Sequence, residues 1–227
     1  MINRLLKTAI VLSLITIFYN LIEGTIAVFF GAEDDTLSLL GFGIDSFVEV
    51  ISGVGILHMV WRMKRHPVVS RDKFEKLALR ITGISFFLLT AGLILGSALS
   101  FWQGHQPVTT VPGIIISSIS ILTMYFLMRE KLKVGKKLNS DAIIADANCT
   151  RTCFYLSIIL LAASGLFELT GIGYVDILGS LGIAWFSFRE GKESFEKASS
   201  DNLACTCCDI TDNNNSEAKI EVGTFNK

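Results

Sequence analysis

The sequence predicts an all-α, polytopic membrane protein with six transmembrane helices. Of its 227 residues, 51% are hydrophobic, and the mean hydropathy is +0.53. The apolar residues are grouped in six long runs, and a helix needs about 20 mainly apolar residues to cross the hydrocarbon core. Only helices and closed barrels satisfy their backbone hydrogen bonds in lipid, and continuous apolar runs exclude the alternating pattern of barrel strands.

The predicted spans follow these runs in chain order. They are Ala9–Phe30, Leu37–Met59, Leu79–Phe101, Val111–Met128, Ala142–Phe167 and Tyr174–Phe188. The first run is too long for a signal peptide and has no small-residue cleavage site, so we interpret it as the first transmembrane helix. The sixth run is the shortest. Residues 1–197 are predicted to form one transmembrane domain.

The basic residues predict that both termini are cytoplasmic. Lysine and arginine are concentrated in four segments, residues 4–7, 62–80, 129–137 and 189–227, which lie before the first span, around the connections after the second and fourth spans, and after the sixth. Of the 20 basic residues, only Arg151 lies outside these segments. The opposite connections, including residues 33–35 and 103–110, contain none. Positively charged loops stay on the cytoplasmic side during insertion. We therefore interpret the basic loops as topology signals and predict no nucleic-acid partner.

Two polar pairs interrupt the second and fifth spans. They are Asp45 with Glu49 and Cys149 with Cys153. A spacing of four residues places both side chains of a pair on one helix face. A carboxylate near the bilayer centre costs about 3 kcal/mol on insertion scales and faces a cavity, a partner or a transport path. A cysteine in an apolar helix is more often an inert small hydrophobe, so the thiol pair is the weaker signal.

Depth within the membrane relates the two pairs. At 1.5 Å of rise per residue, Glu49 and Cys149 lie about 10–12 Å from the cytoplasmic end of the core, and Asp45 and Cys153 lie about 16–18 Å from it. Two antiparallel helices would bring these groups to matched levels, which predicts a four-ligand metal site. Two carboxylates and two thiolates suit tetrahedral zinc, and thiolates favour softer ions such as cadmium.

Other polar residues in the spans are candidate accessory groups. Asn20 and Glu23 are three residues apart in the first span, and Asn20 has the depth to supply a ligand or a supporting hydrogen bond. Asp146 lies one turn before the first cysteine of the fifth span, as a supporting or access-path acid. Arg151 is about 200° around the helix from that cysteine. Its partner is expected to be Asp146, Glu23 or Asp176.

Residues 198–227 are predicted to be a disordered cytoplasmic tail, because they are rich in Ser, Asp and Asn. The tail contains the cluster Cys205, Cys207 and Cys208. In a reducing cytosol these thiols could capture soft metals for the pore or sense them. A tolerated tail of free thiols explains the same cluster equally well.

These motifs resemble those of the cation diffusion facilitators. Residues 35–53, DTLSLLGFGIDSFVEVISG, are similar to the family's second helix, in which a Ser/Leu-rich start precedes two metal-binding residues four apart. Residues 142–153, AIIADANCTRTC, are similar to its fifth helix, whose ligand pair is usually His and Asp at the same spacing. Residues 173–184 resemble the start of its sixth helix. The resemblance covers about residues 10–197.

The resemblance implies a divalent heavy-metal exporter whose ligands are Asp45, Glu49, Cys149 and Cys153. Zinc is the first expectation, with cadmium or cobalt as alternatives, because the cysteines replace the usual His/Asp pair. The family's cytoplasmic domain is not expected in the short tail. The second-helix stretch also resembles a divergent zinc-exporting branch without that domain, the transmembrane-163-type proteins.

Charge alone predicts how transport is driven. An empty buried site holds neutral thiols, whereas a bound divalent ion requires deprotonated ligands, so loading releases protons. Where the cytosol is more alkaline than the outside, this exchange favours loading inside and release outside. The expected mechanism is proton-coupled export by alternating access.

Two other functions stay open. One is a metal-binding sensor or partner protein that does not transport. The other is an intramembrane thiol oxidoreductase, although cysteines one turn apart within a helix would strain a disulfide, and Asp45 and Glu49 would then have no role.

We predict no enzymatic activity and no cofactor, since the metal is cargo. The expected setting is a bacterial inner membrane, with protons as counter-ion and a homodimer left open.

Overall fold

A computed structural model describes residues 2–65, 73–104, 107–138 and 141–199. Its helices are α1 (Ile2–Glu33), α2 (Leu37–Arg65), α3 (Lys73–Gln103), α4 (Val111–Leu138), α5 (Asp141–Thr170) and α6 (Tyr174–Ser199). Every regular element in these ranges is helical, which confirms the all-α prediction. Cys205, Cys207 and Cys208 lie outside the described residues.

Five helices in the described part of the chain are long and apolar enough to cross a membrane by length and composition. These spans are Arg4–Glu33, Leu37–Arg62, Lys76–Gln103, Val111–Leu138 and Asp146–Thr170. In α6 the apolar part, Tyr174–Phe188, is only about 22 Å long, because charged residues follow it. The crossing of α6 and the orientation of the termini stay predictions.

The helices pack mainly as three pairs, α1 with α2, α3 with α6, and α4 with α5. Helix α2 also contacts α3, α5 and α6, so it lies centrally in the bundle. Its Leu39 and Phe42 pack in one core cluster with Leu156, Leu160 and Ile183. Many outward faces carry large exposed apolar side chains, whereas buried Ser and Thr residues lie inside. This distribution is typical of a bundle surrounded by lipid, whose helix interfaces favour small residues.

Close backbone contact joins α1 to α2. A Cβ added at Gly31 would lie 2.5 Å from the Leu40 amide nitrogen, and one added at Gly43 would lie 2.7 Å from the Val28 amide nitrogen. Only glycine fits at such approaches, as in other membrane helix pairs. These contacts fix the position of α1 beside the polar residues of α2.

The connections without basic residues meet at one end of the bundle. Val108 donates its backbone N–H to the Asp34 carbonyl at 2.9 Å. Glu168, near the end of α5, accepts from the Thr110 backbone N–H at 2.6 Å. The loops after α1, α3 and α5 therefore lie on the same side, as the alternating directions of successive helices require.

The start of α2 is held by a carboxylate from α6. Asp176 accepts from the backbone N–H groups of Leu37 at 2.9 Å and Ser38 at 3.2 Å, and the Ser38 hydroxyl donates to it as well. The first N–H groups of a helix have no partner within the helix, and a negative charge there also complements the helix dipole. Asp176 thus links α6 to the helix that carries Asp45 and Glu49.

Replacing Asp176 with alanine is expected to lower the free energy of unfolding by about 1–3 kcal/mol, because a buried helix start loses its acceptor. Thermal unfolding of the purified protein in one detergent measures the effect. Glu33→Ala, at an exposed position near the same end of the bundle, serves as the control and should leave the midpoint nearly unchanged. Equal midpoints for the two variants would contradict this role of Asp176.

Candidate metal centre

The carboxylate of Glu49 lies at the centre of a polar cluster formed by α1, α2 and α5. Its Oε2 accepts from the Asn20 side-chain Nδ2 at 2.8 Å. Its Oε1 accepts from the Cys153 thiol. Asn20 is 1% exposed and Cys153 is 3% exposed, whereas Glu49 is half-buried. A charged group, an amide and a thiol therefore meet inside the bundle.

Asp45 lies one turn before Glu49 on α2 and is 2% exposed. The two carboxylates interact electrostatically. Within the described part of the chain, the Oδ1 atom of Asp45 is buried without a hydrogen-bond partner, and so is the Oδ1 atom of Asn20. A buried oxygen without a partner is costly and is a natural ligand for a cation. The cluster has the donor chemistry of a metal site.

The two cysteines face different neighbours. The Cys153 thiol contacts Glu49, whereas the half-buried Cys149 thiol accepts from the Lys197 ammonium of α6 at 3.9 Å. Counting residues from the cytoplasmic end of each span predicts that Glu49 lies at the same depth as Cys149. Side chains lean toward the N-terminus of their own helix, so on antiparallel helices Glu49 and Cys153 lean toward each other.

The four predicted ligands are therefore not gathered around one point in this conformation. Among the described residues, no three His, Cys, Asp or Glu side chains are close enough together to hold an ion. Asp45, Glu49 and Cys153 belong to one cluster, and Cys149 lies beside Lys197. Coordination requires these side chains to approach one another, or it uses a donor of another type.

Glu23 is a buried carboxylate close to this cluster. It accepts from the Tyr19 hydroxyl at 2.9 Å and from the Ser46 hydroxyl at 3.4 Å. It also interacts electrostatically with Asp45 and Glu49. The sequence had placed Glu23 as an accessory group, and the structure places it beside the predicted ligands of α2.

Asp146 forms a buried ion pair with Lys131 of α4. The Lys131 ammonium lies 2.9 Å from Asp146 Oδ1 and 3.0 Å from the Thr150 hydroxyl, and the side chains are 1% and 8% exposed. The Ser13 hydroxyl of α1 donates to Asp146 Oδ2 at 3.4 Å. Asp146 therefore joins α4 to α5 one turn before Cys149, and its partner is not Arg151.

Sequence reasoning missed the roles of several charged residues near the site, among them Lys131 and Glu190. Lys131 was counted only as a topology signal, and Glu190 of α6 lies just beyond the predicted sixth span. Glu190 accepts from the Thr152 hydroxyl at 2.9 Å and interacts electrostatically with Asp45 and Glu49. Lys131 could have been found from its register, because the buried residues of α4 include Ser117, Ser120, Met124, Leu127, Lys131 and Val134. Their spacing of three and four residues marks one helix face.

Comparison with known proteins identifies the family. The model of the cation efflux transmembrane domain matches residues 9–201. The manganese efflux system protein MneP of Bacillus subtilis is 30% identical over 139 residues, which cover 60% of this chain and 46% of that protein. An uncharacterized transporter of Methanocaldococcus jannaschii is 28% identical over 178 residues, covering 75% of this chain and 62% of the relative. This chain thus spans less than two thirds of either relative.

The family match covers most of the chain and all of the residues that form the polar cluster. It also confirms the resemblance that the motifs of the second and fifth spans indicated. The chain belongs to the cation efflux family.

Proposed function

We propose that this protein exports a divalent metal cation through a site between α1, α2 and α5, in exchange for protons. The observation that carries the proposal is the pair Asp45 and Glu49, placed inside a helix apolar enough to cross a membrane. Membership of a cation efflux family supports transport over a purely structural role for these carboxylates. In this proposal both termini are cytoplasmic and the membrane is a bacterial inner membrane.

The donor atoms guide the choice of ion. Carboxylates and a thiol together suit zinc, which remains the first expectation, and cadmium or cobalt can use the same donors. Manganese joins the ions to be tested, because the Bacillus relative is named for manganese efflux. Carboxylate and amide oxygens are also suitable ligands for manganese.

Proton exchange follows from the chemistry of the ligands. The Cys153 thiol must lose its proton to bind a divalent ion, and any protonated carboxylate of the pair must do the same. Metal loading therefore releases protons on one side, and protonation displaces the ion on the other. Alternating access of the site to the two sides turns this exchange into export when the outside is more acidic.

The test is metal flux into proteoliposomes with an imposed pH gradient, comparing zinc, cadmium, cobalt and manganese. Exchange with protons predicts faster uptake when the vesicle interior is more acidic than the medium, and loss of that acceleration after a protonophore. Protein-free vesicles measure the passive leak of the metal ions. The absence of flux for all four ions, with well-folded protein, would overturn transport and favour a metal-binding sensor.

Separate serine variants test the two cysteines. Cys153→Ser is expected to lower cadmium flux by about 10–100-fold and manganese flux much less, because a thiolate contributes most to soft ions. Cys149→Ser is expected to have a smaller effect, since its thiol faces Lys197 in this conformation. Equal, large losses in both variants would instead support a site in which all four predicted ligands bind the ion together.

A further inference from the structure

The amide of Asn20 presents two chemically different atoms to the polar cluster. Its Nδ2 donates to Glu49 Oε2 at 2.8 Å. In this contact the nitrogen, which is the donor atom of the amide, lies on the side of Glu49. The other atom, Oδ1, is an acceptor in the same planar group and therefore also lies near the carboxylate.

Asn20 Oδ1 has no hydrogen-bond partner among the described residues, although the side chain is 1% exposed. Buried amide oxygens are nearly always paired, so an unpaired one needs an explanation. The hydroxyl of Thr16, one turn earlier on the same helix, is hydrogen-bonded, because it donates to the Leu12 carbonyl at 2.9 Å. Asn20 instead keeps an oxygen available inside the bundle.

A second unpaired oxygen lies within one helical turn of Glu49. Oδ1 of Asp45 is likewise buried without a partner in the described ranges. Two free acceptors next to one carboxylate, with no donor to satisfy them, form a suitable environment for a cation. Rotation about the terminal torsion of Asn20 turns its oxygen without moving the backbone, because that torsion has a broad energy minimum.

We propose that Asn20 is a ligand of the transported ion through Oδ1, and that it makes the site more favourable to manganese relative to cadmium. This inference rests on the proposed function. Once the side chains approach one another around the ion, the donors are three oxygens, from Asn20, Asp45 and Glu49, and the sulfur of Cys153. Such a set is harder than two carboxylates with two thiolates, and hard donors favour manganese.

The test is equilibrium binding of Mn²⁺ and Cd²⁺ to the purified full-length protein. All samples carry serine at Cys205, Cys207 and Cys208, so that the tail thiols do not bind the ions. Asn20→Ala should weaken Mn²⁺ binding by at least about 100-fold and Cd²⁺ binding by less than about 10-fold. The control Thr16→Val removes a buried hydroxyl from the same helix and should leave both affinities unchanged.

Asn20→Asp separates a ligand from a residue that only positions Glu49. It keeps the oxygen but removes the N–H donor, so a ligand role predicts Mn²⁺ affinity within about 10-fold of the starting protein. A loss as large as that of Asn20→Ala, or equal losses for both ions in Asn20→Ala, would overturn the inference. Asp45→Ala tests the proposed function separately from the role of Asn20. Unchanged binding of both ions in that variant would overturn the proposed metal site as a whole.

Discussion

Changing Asp45 to asparagine is expected to lower metal flux by at least about 100-fold, to the leak of protein-free vesicles. The substitution keeps the volume of a side chain that is 2% exposed, and it removes the negative charge and one strong metal-binding oxygen. Asp45 Oδ1 has no hydrogen-bond partner within the described ranges, so no internal contact depends on it. Loss of flux would therefore report the ion and not the packing. Proteoliposome uptake under an acidic interior measures the change.

Glu168→Gln is the matched control for Asp45→Asn, because it makes the same carboxylate-to-amide change near the end of α5. Glu168 accepts from the Thr109 hydroxyl at 2.9 Å and from the Thr110 N–H at 2.6 Å, and an amide oxygen can accept in its place. Flux should stay close to that of the unmodified protein. If Asp45→Asn also retained flux, α2 would not provide the transport site, and the remaining buried carboxylates would have to be tested.

The sequence could predict the carboxylates of this site because it carries two signals for them. One is the free-energy cost of placing a charge in the membrane, and the other is the spacing of the two residues. A charge inside an apolar helix is expensive, so Asp45 and Glu49 were identified by their presence alone. Their spacing of four residues then placed them on one face. Asn20 was predicted as an accessory group from its depth in the first span, and it contacts Glu49 in the structure.

The thiol side could not be predicted as well, because spacing along one helix says nothing about how that helix is rotated against its neighbours. Cys149 and Cys153 point in nearly the same direction on α5. Cys153 nevertheless reaches Glu49, whereas Cys149 reaches Lys197 on α6. The difference arises from which helices surround each turn of α5, and this information lies in the packing of the bundle.

The sequence also could not predict the roles of charged residues at the ends of the apolar runs. The basic residues after the fourth span were interpreted as topology signals, and that rule counts the charges of a whole loop. The rule cannot distinguish individual side chains, such as Lys131, which is 1% exposed, and Lys133, which is 58% exposed. The helix continues through this segment to Leu138, so its buried face also continues, and Lys131 lies on that face.

Replacing Lys131 with methionine is expected to lower the free energy of unfolding by about 3–5 kcal/mol, because Asp146 would remain buried without its counter-ion. Methionine fills a similar volume, so the effect reports mainly on charge. The loss should be visible as a lower midpoint in a denaturant titration in mixed micelles. The second change Asp146→Leu should restore most of the stability, since removing both charges together leaves neither one unpaired.

Lys133→Met provides the control for this effect, because it makes the same substitution two residues further along α4. Lys133 pairs with Glu130 at 3.4 Å, and both side chains are well exposed, so the pair contributes at most about 1 kcal/mol. A small effect at Lys133, a large effect at Lys131 and recovery in the double variant would together identify the Lys131–Asp146 pair as a buried charge contact between α4 and α5. Equal effects of the two lysine changes, or no recovery in the double variant, would contradict it. If the pair has this role, the turn of α5 before Cys149 is anchored to α4. A shift of this turn that brings Cys149 toward Glu49 must then either carry α4 along or break this contact.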